Sequence, residues 1–272
     1  MKEMVSIIIP TYNREKVIGR AIQSVLQQTY EYYEILVIDD ASTDCTQEVV
    51  EQIADDRIRY ICLEQNKGAA HARNVGICES RYDYIAFLDS DDEWLPAKLE
   101  LQMRKMLKSP EEVGFIYCRM GGGPYEEYES FVCPPWELPA EVLEGNMFQR
   151  ILMHNVIGMP TILVRRNCLE QSGGFKEGIQ CLEDWEWILR IARNWLIGFV
   201  DENLVEIHKS AGSVSANEVG AIITKTYLVS KYRRELAEIE MLEEKEREVL
   251  DAAKRNNIYD EIRELLSRDF EL

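Results

Sequence analysis

The run Asp89-Ser90-Asp91-Asp92 sets two carboxylates on either side of one residue. That spacing lets both offer hard oxygen ligands to one divalent cation, Mg2+ or Mn2+. An ion held in this way keeps coordination positions for water and phosphate oxygens, so it can neutralise a diphosphate and stabilise its departure. The plainer reading is an acidic turn capping a helix that begins near Trp94. A calcium EF-hand fits less well, because Glu93 and Trp94 stand where its third ligand and invariant glycine belong.

Two further places carry chemistry. Gly173-Gly174-Phe175 precedes Glu183-Asp184-Trp185, so a turn delivers two acids to the start of an amphipathic helix, where the helix dipole favours them. They are either a helix cap or the source of a general base, which needs a carboxylate close to the hydroxyl it deprotonates. His208 stands in Glu206-Ile207-His208-Lys209 after a strand-like run, and is either structural or a third metal ligand.

These groups need elements to hold them. Residues 5–9 and 35–38 are short β-branched runs, closed by Pro10 and by Asp39-Asp40, and both read as buried strands. Between them, Val17, Ile18, Ala21, Ile22, Val25 and Leu26 recur at the spacing of one helix face, which makes a β-α-β unit and a parallel pair. The rhythm continues with a helix over 46–53, a strand over 58–63, a helix over 69–80 and a strand over 84–88. A doubly wound sheet with right-handed crossovers follows. Ligands of such sheets sit beyond the carboxyl ends of the strands, where this sequence carries Thr11-Tyr12-Asn13-Arg14, Asp39-Asp40 and Asp89 to Asp92.

Asp39 can accept a hydrogen bond from a base imide or a ribose hydroxyl, Tyr12 offers a stacking face, and Lys67 and Arg73 can offset phosphate charge. Taken singly, each is an ordinary loop residue; their shared edge is what joins them. Neither the P-loop nor the G-x-G-x-x-G signature occurs, so a nucleotide must be held by other means. Beyond this half, residues 120–139 rich in Gly, Pro and Glu predict a long loop or lid. A helix is expected over 142–153, a strand over 161–164 and a helix over 184–193. The expected domains are 1–218, with a nucleotide-binding half 1–118 and an acceptor half 119–218, followed by a helical tail 219–272. In the tail Tyr232, Leu236, Ile239, Leu242, Val249, Leu250 and Ala253 form an apolar stripe, which either packs inward or makes a homodimer.

Composition narrows the function classes. With 272 residues, 46% of them hydrophobic, the chain can bury a large core. A formal net charge of -18 argues against nucleic acid as a partner. It also disfavours adsorption to anionic lipid, although Lys231, Arg233 and Arg234 leave a peripheral membrane contact open. Seven scattered cysteines without a C-x-x-C pair suggest neither a zinc knuckle nor a redox centre, and fit a reducing cytoplasm. No signal peptide or membrane-spanning stretch is expected.

The ordered segments resemble family 2 of the glycosyltransferases. Val5-Ser6-Ile7-Ile8-Ile9-Pro10-Thr11-Tyr12-Asn13-Arg14 is similar to the family's opening strand and nucleotide loop, and Val37-Ile38-Asp39-Asp40-Ala41-Ser42-Thr43-Asp44 to its base-binding segment. Asn66-Lys67-Gly68 through Ala72-Arg73-Asn74-Val75-Gly76 resembles the next loop and helix, Phe87-Leu88-Asp89-Ser90-Asp91-Asp92 the metal motif, and Glu183-Asp184-Trp185 the acceptor-side acid motif. The likeness spans roughly residues 4–215.

It implies a GT-A fold, a Rossmann-like, mostly parallel mixed sheet flanked by helices. It also implies inverting transfer from a nucleotide-diphosphate sugar, most often UDP-linked, to a hydroxyl of a glycan or glycolipid in cell-surface polysaccharide or glycoconjugate synthesis. The resemblance assigns the nucleotide to Pro10, Thr11, Tyr12, Asn13, Asp39, Lys67, Arg73, Asp89 and Ser90. It assigns Mn2+ or Mg2+ to Asp91 with Asp89 and His208, the catalytic base to Asp184, and the acceptor side to Glu183 and Trp185. One alternative is a non-catalytic, nucleotide-sugar-binding assembly module that pairs through the tail. A sugar nucleotidyltransferase is the other, but Thr11-Tyr12-Asn13-Arg14 is not its glycine-rich basic loop.

Overall fold

The structure is a computed structural model that describes residues 3–122, 132–208 and 217–267. Its elements run β1 (Val5–Thr11), α1 (Ile18–Leu26), β2 (Tyr33–Asp39), α2 (Thr46–Glu51), β3 (Ile58–Cys62), α3 (Ala69–Glu79), β4 (Tyr84–Phe87), β5 (Glu93–Trp94) and α4 (Lys98–Met106). There follow β6 (Val113–Gly122), β7 (Val132–Cys133), α5 (Phe148–Met153), β8 (Leu163–Arg165), α6 (Arg166–Ser172), α7 (Glu183–Ala192) and β9 (Leu196–Ile207). Four helices close the chain: α8 (Glu218–Lys231), α9 (Arg233–Glu238), α10 (Leu242–Arg255) and α11 (Tyr259–Ser267).

Strands β3, β2, β1 and β4 are parallel neighbours in that order, as the alternating pattern predicts. The sheet then becomes mixed: β8 is antiparallel to both β4 and β6, β9 is parallel to β6, and β5 is antiparallel to β9. β1 and β2 are buried along their whole length, which is why they read as unbroken apolar runs. Pro10 is tolerated inside β1 because β4 pairs only as far as Ile8 with Phe87, so its missing N–H leaves no ladder bond unmade. Helix α3 lies close on β1: a Cβ at Gly76 would stand 2.5 Å from Cγ2 of Ile8. That close approach sets the height of Arg73, one turn earlier on the same helix.

The structure corrects several expectations. No helix starts near Trp94. Glu93 and Trp94 instead pair with Glu206 and Val205 of β9, and Pro96 delays the helix to Lys98. The helix expected over 142–153 is a 3-10 turn at Ala140–Val142 and then α5, because Gly145 adopts φ +87° and exchanges backbone hydrogen bonds with Ile197. Within the predicted long loop, Met120 to Gly122 belong to β6 and Val132–Cys133 return to pair with it, while residues 123–131 lie outside the described residues. The strand expected over 161–164 is displaced to Leu163–Arg165 by a 3-10 turn ending at Thr161. Strand β6 and helix α6 had no counterpart in the sequence reading; β9 is the strand-like run noted before His208, and α4 is the helix expected near Trp94, begun four residues later.

The chain forms two compact units, Met1–Phe175 with Trp187–Ser210, and Lys176–Glu186 with Ala211–Leu272. In the first, the buried Arg119 of β6 donates to the carbonyls of Pro134 and Pro135 and pairs with Asp201 at 2.6 Å, which fixes the return after β7. In the second, α8, α10 and α11 pack on one another and bury Tyr232, Leu236, Val249 and Ala253 of the apolar stripe.

Candidate active site

The parallel register brings the predicted groups of the first unit to one sheet edge. Thr11 is level with Asp39, and Phe87, two residues before Asp89, is level with Ile8. The loop after β1 is tied to the loop after β2: Ser42 Oγ accepts from the Asn13 N–H at 2.8 Å, and Asn13 Oδ1 accepts from the Thr43 N–H at 2.8 Å. Asn13 takes φ 51°, a conformation that asparagine tolerates better than most residues. Tyr12, between these anchors, is 44% exposed.

Asp39 is fully buried. Its carboxylate accepts from the Ser42 N–H at 2.7 Å and from the Tyr60 hydroxyl at 2.5 Å. Burial first, and then the hydrogen bond to Asp39, push the Tyr60 hydroxyl above its usual range, so it stays a donor. Asp40 accepts from the backbone N–H groups of Lys67 and Gly68, at 3.0 and 2.6 Å. This bond shapes the turn into α3, where Gly68 adopts φ +91°.

Arg73, buried on α3, donates from Nη2 to Asp89 Oδ1 at 2.8 Å, and its guanidinium lies 5.5 Å from the Phe175 ring centre. Asp89 to Asp92 form a turn closed by the Asp92 N–H and the Asp89 carbonyl at 3.1 Å; Ser90 within it is buried. Arg14 lies 3.9 Å from Asp91. Burial, reinforced by Asp89 and Asp91, pushes the Asp92 carboxyl well above the usual carboxylate range.

The His208 N–H donates to Asp92 Oδ1 at 3.1 Å, so the end of β9 is fastened to this acidic turn. Two carboxylates in one turn are a donor set suited to a hard divalent cation, and His208 is joined to that turn through its backbone, while one ligand atom of its ring lies within 4.8 Å of one from each of Glu93 and Glu206. Asp89, Asp91 and His208 could hold one.

Glu183, Asp184 and Trp185 occupy the first turn of α7, where the Trp185 N–H donates to Asp184 Oδ1 at 2.7 Å. They belong to the second unit. From Trp187 onward α7 belongs to the first unit, where Trp187 packs edge-on against Phe87 of β4. Sequence reasoning placed Asp40 and Asp92 at this edge without a role, and gave none to Arg20, Glu93 or Glu206. Asp40 and Asp92 adjoin assigned acids and could have been read from adjacency, whereas Arg20 meets Asp91 only through tertiary structure.

Comparison with known proteins gives the family and the fold. The glycosyl transferase family 2 pattern matches residues 6–169, and the chain belongs to that family. A putative teichuronic acid biosynthesis glycosyltransferase, TuaG of Bacillus subtilis, is 32% identical over 235 residues, covering 84% of this chain and 87% of the relative. WfaP of Escherichia coli, a UDP-Glc:alpha-D-GlcNAc-diphosphoundecaprenol beta-1,3-glucosyltransferase, is 35% identical over 228 residues, covering 82% and 84%. An uncharacterized glycosyltransferase of Rickettsia felis is 38% identical over 210 residues, and this chain spans only 33% of its length. Among solved structures, S. aureus TarS in complex with UDP-GlcNAc matches with a TM-score of 0.67 at 21% identity, covering 83% of this chain and 65% of that one. That match supports the GT-A fold. Among the described residues, no helix is long and apolar enough to cross a membrane.

Proposed function

We propose that the chain moves a sugar from a UDP-linked donor to a hydroxyl of a glycan or glycolipid acceptor, with inversion at the anomeric carbon, in the synthesis of a cell-surface polysaccharide. The observation that carries this reading is the shared edge at the ends of β1, β2 and β4, where buried Asp39, the Arg73–Asp89 pair and the Asp89 to Asp92 turn lie in register. The reaction named for WfaP and the pathway named for TuaG support the donor and acceptor classes.

In this reading Asp39 accepts from the base imide, Tyr12 stacks on the base, and Lys67 and Arg73 offset phosphate charge. A Mn2+ or Mg2+ ion held by Asp89, Asp91 and His208 would supply charge stabilisation to the departing diphosphate. Asp184 takes the acceptor proton as the acceptor oxygen bonds to the anomeric carbon, and the bond from that carbon to the diphosphate breaks with its electron pair on the leaving group.

The test begins with UDP-, GDP- and TDP-sugars screened by thermal shift with and without Mn2+; a UDP-sugar is expected to raise the melting temperature most, and more with the metal. Asp184→Asn is then expected to keep donor affinity within about threefold while turnover falls about 10²–10⁴-fold. Equal loss of donor binding would remove Asp184 from the base role. Donor binding by the unaltered chain without any transfer would favour a non-catalytic module.

A further inference from the structure

The turn Gly173-Gly174-Phe175 has its backbone held by side chains from two helices. Asn74 of α3 donates from Nδ2 to the Phe175 carbonyl at 2.9 Å and accepts from the Phe175 N–H on Oδ1 at 2.7 Å. A side-chain amide can give and take in this way at once. Arg190 of α7 donates to the carbonyls of Ser172 and Gly174, and Trp187 Nε1 donates to that of Gly173 at 3.2 Å. Both glycines serve the clamp: Gly173 takes φ +75°, and a Cβ at Gly174 would stand 2.4 Å from Asn74 Oδ1. Held there, the buried Phe175 ring stacks on Trp187 at 4.7 Å between centroids and meets Phe87 edge-on at 5.6 Å. The guanidinium of Arg73, next to Asn74 in the chain, lies 5.5 Å from the centre of the same ring while it pairs with Asp89 at 2.8 Å.

We infer that Phe175 is a positioning residue for donor binding: clamped by Asn74, its ring holds the Arg73 guanidinium against Asp89 and so fixes the positive charge that the donor meets. Phe175 acts through Arg73, and the inference rests on the reading of Arg73 as a donor-binding residue. A guanidinium over an aromatic face is attracted by the negative π-cloud of the ring, most strongly where water is excluded, and Arg73 is 6% exposed. Packing against Phe87 and Trp187 would be served by any large apolar side chain, whereas the hold on Arg73 needs an aromatic face. Because Arg73 and Asn74 are consecutive, one turn of α3 carries both the charge and the clamp that fixes its platform.

The experiment measures UDP affinity of the full chain by titration calorimetry at a fixed Mn2+ concentration. Phe175 is replaced by its mono-, di- and trifluoro analogues, which keep nearly the same size while draining the π-cloud. UDP binding is expected to weaken stepwise along the series, by about 10-fold at its end. Phe175→Leu, and Asn74→Asp, which keeps the acceptor and loses the donor, are each expected to weaken it by about the same factor. Arg73→Ala should cost at least as much, and adding Phe175→Leu to it should weaken binding by less than about twofold further, because the ring acts through the guanidinium. Should Phe175→Leu fail to fold, the fluorinated series decides alone. If Arg73→Ala leaves UDP affinity unchanged, the donor role of Arg73 fails and takes the inference with it. If Arg73→Ala weakens UDP binding while the fluorinated series stays flat, that role stands and the inference is overturned, since the ring then serves the core alone. A full further loss of about 10-fold when Phe175→Leu is added to Arg73→Ala overturns it as well.

Discussion

At Thr11 the side chain is 3% exposed, and its Oγ1 finds no hydrogen-bond partner among the described residues. A buried hydroxyl left in that state costs about 1–3 kcal/mol, so a fold selected for stability alone would replace it with an apolar group of the same shape. Its register with Asp39 instead places it on the proposed nucleotide edge, where a bound donor can supply the missing partner. Thr11→Val is therefore expected to stabilise the ligand-free chain by about 1 kcal/mol and to weaken UDP binding by about fivefold. Urea unfolding without ligand and a UDP titration check the two halves separately. A less stable variant with unchanged UDP affinity would place the hydroxyl in the fold and not in the site. Asp39, one strand over, is the opposite case, since Tyr60 and Ser42 already satisfy part of its carboxylate and pre-orient what remains.

Among the elements, α4 carries a lysine where an apolar residue would be ordinary. Lys98 is fully buried, donates to Gln102 Oε1 at 2.8 Å and lies 3.8 Å from the Trp94 ring centre; burial lowers its pKa to about 7. The unfolded chain binds this proton up to about pH 10.4, whereas the folded chain releases it near pH 7, so this group makes stability rise with pH across that window. Lys98→Met removes the effect. The stability difference, variant minus wild type, should favour the variant most near pH 7 and shrink toward pH 10, as read by urea unfolding at several pH values. A constant gap would mean that Lys98 keeps its proton in the fold. The same neighbourhood explains what the sequence could and could not disclose. β1 to β4 and the helices between them follow local apolar periodicity, which is why their order and direction were legible. β6 contains Gly114, Arg119 and two closing glycines, and β9 carries Asp201-Glu202-Asn203 at its centre, with a register shift opposite them. Both are strands only because partners from far along the chain satisfy their polar groups, as Pro134, Pro135 and Asp201 do for Arg119. Trp94 was read as the start of a helix for the same reason: its backbone is claimed by β9, 111 positions away from Val205 by number, and no local signal reports that pairing.

Over the whole molecule, the family pattern ends at residue 169, yet the candidate catalytic acid lies beyond it, in the same compact unit as the C-terminal helices. A change in composition near residue 219 marks where those helices begin, but it says nothing about which earlier segment joins them. The structure supplies that link inside the second unit. Glu186, two residues after Asp184, is 1% exposed and receives a hydrogen bond from Lys231 Nζ of α8 at 2.9 Å. The Lys176 ammonium reaches the Tyr227 hydroxyl, also at 2.9 Å. Burial opposes the Lys231 charge, but the Glu186 carboxylate outweighs it and the pKa is raised. The sign follows directly: with a folded pKa above the unfolded one, the pair contributes fully below about pH 10.4 and fades only as pH climbs through the folded value. At neutral pH, Lys231→Met strands the Glu186 charge without its partner and should cost about 3–5 kcal/mol, whereas Lys231→Met combined with Glu186→Leu removes both charges and should recover most of that loss. Urea unfolding gives the energies, and amide hydrogen exchange over α8 and α10 tells whether the loss is confined to the second unit. If the double variant is as unstable as the sum of the two single ones, the pair is not coupled, and the first turn of α7 owes its place to apolar packing instead.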